Sequence, residues 1–155
     1  MAYSNIDKPN QYFNTVLYTG NSTDDRAVTG VGFQPDFLWI KDRTVARVHY
    51  LADRVRGDTK YLQSQATTAE ITATSAVKSI DSDGFTTGTS TTVNNTGENY
   101  VVWNWLAGGT ASSNTDGSIT SNVSANTTSG FSIVSYTGNS TAGATVGHGL
   151  GVAPA

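Results

Sequence analysis

The sequence predicts an all-β protein, an antiparallel β-sandwich or jelly roll followed by the start of a second copy of the same unit. Three observations carry this reading. Only 14% of the residues are charged, against about a quarter in an ordinary globular domain, and Thr, Ser, Asn and Gly make up the difference. Thr suits a pleated, half-buried surface, while Gly and Asn tolerate the positive φ of tight turns. Short apolar runs return at intervals of roughly ten residues between turn signals, the spacing of a sandwich or jelly roll. The third observation is an internal repeat.

The elements follow in order. Phe13–Thr19 alternates as a strand and breaks at Gly20-Asn21. Phe37–Lys41 is a short apolar strand entered through Gln34-Pro35-Asp36, and Val48–Leu51 is another, closed by a turn at Arg54-Val-Arg-Gly57. The stretch 61–76 mixes Gln, Ala and Glu with Thr and Ser, and fits a helical turn, a strand or a loop. Asp81-Ser-Asp83-Gly84 reads as a turn before a strand over Phe85–Thr89. Asn94-Asn-Thr-Gly97 reads as the turn before Tyr100–Leu106, the clearest strand of the chain. Residues 108–130, almost entirely Thr, Ser, Asn and Gly, read as a linker. The expected organisation is an N-terminal arm (1–11), a sandwich domain (12–107), this linker, and the start of a second repeat (131–155).

The repeat is long. Phe13-Asn-Thr-Val-Leu-Tyr18-Thr-Gly-Asn-Ser-Thr23 returns as Phe131-Ser-Ile-Val-Ser-Tyr136-Thr-Gly-Asn-Ser-Thr141, an offset of 118 residues (131 − 13). With one insertion, Val28-Thr-Gly30-Val-Gly32 continues into Val146-Gly-His-Gly149-Leu-Gly151. In the first copy the apolar run Asp36-Phe-Leu-Trp-Ile40 comes next, so the natural chain is expected to continue past Ala155.

Several function classes are disfavoured by composition. A net charge of −3 and a pI near 5.1 lack the basic face of a nucleic-acid binder. There is no cysteine, hence no disulfide, thiolate ligand or cysteine nucleophile. No apolar run reaches the roughly 18 residues of a membrane span, and residues 1–11 have no apolar signal core.

Little chemistry is legible. No Gly-x-Ser-x-Gly elbow occurs, and the two histidines, His49 and His148, are too few for a zinc site. Asp24, Asp25, Asp81, Asp83 and Asp116 fall in turns, where Asp bonds nearby backbone; Asp36, Asp53 and Glu98 are the acids near aromatic strands. Asp81-Ser-Asp83-Gly84 starts like a calcium loop, but the twelfth position is Thr92 rather than Glu. Gly147-His-Gly-Leu-Gly151 lacks the Lys and following helix of a phosphate loop. Trp103 and Trp105 lie two apart with Val101, on one face of a strand, and read as sandwich core rather than as a sugar platform. Lys41, Arg43, Arg47, Arg54 and Arg56, balanced by Asp42 and Asp53, read as a solvated face. The expectation is a protein that is not an enzyme, with no cofactor, metal, nucleic-acid partner or membrane insertion.

Tyr12-Phe-Asn-Thr-Val-Leu-Tyr-Thr-Gly-Asn21, Val31-Gly-Phe-Gln-Pro-Asp-Phe-Leu-Trp-Ile-Lys41, Val55-Arg-Gly57 with Lys60-Tyr-Leu62, Asp83-Gly-Phe85, Tyr100-Val-Val-Trp-Asn-Trp105 and Gly130-Phe-Ser-Ile-Val-Ser-Tyr-Thr-Gly138 together resemble an uncharacterised repeat domain of tail-fibre and other virion proteins of marine bacteriophages, cyanophages among them. The resemblance implies a lectin-like sandwich and a virion structural role. On that reading the chain is the tail-attaching N-terminal part of a homotrimeric tail fibre, assembled in the host cytoplasm. Its arm, through Tyr3, Ile6, Pro9 and Tyr12, is expected to dock on a tail adaptor or nozzle protein, while a distal part meets the host-surface receptor. The alternatives are a capsid decoration protein and a carbohydrate-binding module.

Overall fold

A computed structural model of the chain describes residues 6–153. The largest sheet has six strands, all neighbours antiparallel: β1 (Phe13–Thr19), β9 (Asn99–Trp105), β3 (Phe37–Asp42), β4 (Tyr50–Asp53), β5 (Lys60–Leu62) and β6 (Ile71–Thr72), in that spatial order. A three-stranded sheet, β2 (Arg26–Thr29), β8 (Gly84–Thr87) and β7 (Val77–Asp81), packs across one face of it and completes an all-β sandwich. A further sheet is formed by β10 (Ser112–Asn114), β11 (Ser121–Asn126) and β12 (Phe131–Tyr136).

The core lies between the first two sheets. Leu38, Ile40, Tyr50, Ala52, Tyr100 and Val102 from the large sheet meet Val28, Val77, Ile80 and Phe85 from the small one, with Val93 closing one end. Each fully buried Val, Leu, Ile or Phe contributes about 1.5–3 kcal/mol. Tyr18 stacks on Tyr100 at 5.0 Å between centroids and Tyr50 on Tyr61 at 4.2 Å. Burial pushes the Tyr50 and Tyr100 hydroxyls up to about 12 and raises that of Tyr18 further.

The period of two along β9 places Tyr100, Val102 and Asn104 on the inner face. Trp103 and Trp105 therefore point outward, which corrects the expectation that they form the sandwich core. Both faces of this strand are apolar, so alternation alone does not say which one meets the second sheet. Pairing decides it: Val102 is opposed by Val16 and Ile40, and Tyr100 by Tyr18, all turned toward the small sheet.

The 108–130 segment is not an unstructured linker, since it contributes β10 and β11. Alternation buries Ser121 and Val123 against exposed Asn122, while Ser124 is buried where its hydroxyl meets the Gly108 N–H and the Gly109 carbonyl; the small side chains let the backbones approach, and a Cβ on Gly108 would sit 2.4 Å from the Ala125 carbonyl oxygen. The ambiguous 61–76 stretch resolves into β5, β6 and connecting turns; the strand expected over Phe85–Thr89 ends at Thr87, and a single helical turn, α1 (Thr91–Asn94), follows it. Ser90 caps α1 by accepting the Thr92 N–H.

The repeated hexapeptide adopts the same turn twice. Ser22 and Ser140 take φ of 56° and 58°. Asn21 and Asn139 each accept the N–H two residues on, from Thr23 and Thr141, both at 3.0 Å. These are Asx turns, whose local hydrogen bond supports a non-glycine residue in the left-handed region.

Candidate functional site

Three groups of side chains stand out. The first consists of the arginines expected on a solvated face. Three of them, Arg47, Arg54 and Arg56, instead pair with buried carboxylates. Arg47 grips Glu98 with two hydrogen bonds of 2.8 Å and reaches Asp42 at 3.2 Å. Arg54 meets Asp36 at 3.0 Å and Arg56 meets Asp53 at 2.6 Å. The Arg47 guanidinium, aided by the Asn95 amide and the Tyr100 hydroxyl, holds the Glu98 carboxyl well below the usual carboxylate range. Asp36 also accepts the backbone N–H groups of Ala107 and Gly109. Sequence reasoning missed these pairings because the partners lie 51 residues apart in one case and 18 in another. All three carboxylates near aromatic strands are thus committed to arginine.

Asp81 and Gly84 pair across the ends of β7 and β8, and Ser82-Asp83 is the two-residue turn between them. Its Asp83 accepts the N–H groups of Gly30 and Gly32 at 3.0 and 2.6 Å, which lower its carboxyl from the usual value. Among the described residues no three His, Asp or Glu side chains gather to hold a metal ion, and no helix is long and apolar enough to cross a membrane.

The second group is the N-terminal arm. Tyr3 lies outside the described residues. Ile6, Pro9 and Tyr12 share a cleft of about 280 Å³ with Phe13, Trp105, Ser129, Gly130 and Phe131. A 3-10 turn over Pro9–Gln11 sets this course, with the Tyr12 N–H donating to the Pro9 carbonyl. This cleft lies at the seam between the sandwich and β12, with Pro9 exposed and Ile6 and Tyr12 half-buried.

The third group is the outer face of the six-stranded sheet. Phe131 stacks on Trp105 at 6.0 Å and lies 6.2 Å from Phe37, so β12 covers one end of this face. Beyond it a cleft of about 260 Å³ is lined by Trp39, His49, Trp103 and Trp105. The Trp39 and Trp103 rings meet edge to face, 5.9 Å apart at 71°, and the Trp39 indole N–H donates to His49 Nδ1 at 2.8 Å. The only sequence signal for this site was the aromatic content of β3 and β9.

A family described as a domain of unknown function, DUF7483, matches residues 8–155. The chain belongs to this family. The DUF7483 match takes in Pro9, Tyr12, the twelve strands of the described residues and the aromatic cleft, whereas Tyr3 and Ile6 precede it. No curated protein and no solved structure matches the chain.

Proposed function

We propose that this chain is a structural module of a bacteriophage virion, the tail-attaching N-terminal part of a homotrimeric tail fibre, and that it performs no catalysis. The observation that carries the reading is the tandem arrangement. The hexapeptide turn recurs with the same backbone conformation and the same Asx hydrogen bond, and the β10–β12 sheet is fastened to the sandwich rather than tethered by a loose linker. The fastening is both polar and aromatic. Asp36 takes the N–H groups of Ala107 and Gly109 at the junction, and Phe131 stacks on Trp105. A rod that transmits load needs such rigid joints between units. The resemblance of the long motifs to phage fibre repeats supports the virion reading, in which the arm, carrying Tyr3, Ile6, Pro9 and Tyr12, supplies the contact with a tail adaptor or nozzle protein.

The test is to apply antibody raised against the chain to intact virions of the phage that encodes it, and to image them by electron microscopy. Decoration at the tail, with a purified mass three times 16.3 kDa, supports the fibre. Decoration over the head transfers the chain to the capsid accessory proteins, and unlabelled virions defeat the virion assignment.

A further inference from the structure

Directly opposed residues form a continuous row across the outer face of the six-stranded sheet: Thr15, Trp103, Trp39, Leu51 and Leu62, contributed by β1, β9, β3, β4 and β5. The parallel row beside it, Phe13, Trp105 and Phe37, is the one that Phe131 caps. The Trp39–Trp103 part of the face is left as a cleft of about 260 Å³, with His49 on one side.

We propose that this cleft binds one neutral sugar ring of a polysaccharide. Its walls are two indoles set nearly at right angles, 71°, so that one ring face can stack on the C–H face of a pyranose while the other limits its position. The size fits a single ring, since pockets for drug-sized ligands span about 300–1,000 Å³. No charged side chain lines the cleft. The next outward residue on β3, Lys41, has its ammonium engaged by the carbonyls of Asp42 and Arg47 at 2.9 and 3.1 Å. An ionic ligand would lose its hydration here without gaining a counter-charge, which selects for a neutral one.

One placed polar side chain, His49, supplies orientation. His49 Nδ1 is occupied as the acceptor from Trp39, so the neutral imidazole carries its proton on Nε2 and offers one donor. The platform is also preorganised: Trp39 is held by its hydrogen bond and Trp105 by its stack on Phe131. Rings already fixed in place lose little freedom on binding. The inference is independent of where in a virion the chain sits.

The full chain is tested by affinity electrophoresis in gels containing dextran, laminarin, mannan or galactomannan, with dextran sulfate as the charged comparison. Retardation by at least one neutral polysaccharide is expected. Trp103→Ala should weaken it by about tenfold or more, a change worth about 1.4 kcal/mol. Because Trp103→Ala also removes packing, Thr15→Glu is the second variant. It places a charge opposite Trp103 from an exposed edge-strand position, and should weaken retention similarly while thermal unfolding stays unchanged. No retention by any neutral polysaccharide, retention by dextran sulfate alone, or retention untouched by Thr15→Glu would overturn the proposal. So would a concentration-dependent dimer abolished by Thr15→Glu, which would assign the cleft to a second copy.

Discussion

Asp36 accepts the backbone N–H of Ala107 at 2.8 Å, joining the entrance of β3 to the exit of β9 at the point where the chain leaves the sandwich. The same carboxylate takes the Gly109 N–H and the Arg54 guanidinium, and it is fully buried. Around it, the Asp36 N–H donates to the Trp105 carbonyl and the Arg54 N–H to the Asp36 carbonyl. One side chain thus ties three segments.

Replacing it should loosen all three. Asp36→Ala leaves two backbone donors and a guanidinium without their acceptor, and removal of one partner of a buried ion pair costs about 3–5 kcal/mol. Urea unfolding of the variant is expected to show that loss. A midpoint unchanged from the parent would show that water replaces the carboxylate without penalty.

The two copies of the hexapeptide turn should respond differently to the same substitution. A Cβ on Gly20 would lie 2.1 Å from the Asn95 carbonyl oxygen, whereas one on Gly138 meets nothing within 4 Å. Gly20→Ala is expected to destabilise by about 1–3 kcal/mol, as overpacking does, and Gly138→Ala to be neutral within about 0.5 kcal/mol. Thermal melts of the two variants side by side make the comparison. Equal effects would contradict the closeness of Gly20 to Asn95.

Asn94 should prove to be the peg of the first turn. Its amide donates to the carbonyls of Gly88 and Thr23 at 2.8 and 2.9 Å, and its oxygen accepts from the Asn21 N–H at 3.0 Å and from Arg26 at 3.1 Å. Asn94→Ala strands several of these groups where water has little access, at a cost of about 1–3 kcal/mol for each buried group left unpaired. Amide exchange at Asn21 should accelerate in the variant. Unaltered protection there would argue that the turn holds itself.

Acid should destabilise the fold through Glu98. Its carboxyl is held below its ordinary value of 4.5, first by the hydrogen bonds from Arg47. A native value below the unfolded one means that the unfolded chain binds more protons in acid. The stability it contributes is therefore complete above about pH 5 and lost as the pH falls below about 4. Asp83, Glu70 and Asp24 shift in the same direction. Unfolding midpoints measured from about pH 7 to about pH 3 should fall at the acid end, and Glu98→Gln should be weaker at neutral pH with a shallower acid decline. A variant with the parent's slope would assign the acid response to the other carboxylates.

Much of the architecture was legible locally. The turn at Asn21, the Asp81–Gly84 hairpin and the break at Gly57 follow from residues that tolerate positive φ or bond their own backbone, and the alternation of Phe13–Thr19 and Asn99–Trp105 follows from the pleat. The Ser/Thr-rich 108–130 stretch concealed β10 and β11, because its strands are held by backbone pairing and by small buried side chains such as Ser121 and Ser124 rather than by apolar bulk.

The sequence by itself determined that this chain is all-β, where it turns, and that one turn occurs twice, since each depends on interactions spanning a few residues. Only the tertiary structure decided which face of β9 is inside. Val102 and Trp103 are both apolar, and the choice was made by partners in β1, β3 and the opposing sheet. Only the tertiary structure, too, paired Arg47 with Glu98 and set Trp39 against Trp103, because an ion pair or an edge-to-face contact is specified by three-dimensional distance and leaves no period in the sequence.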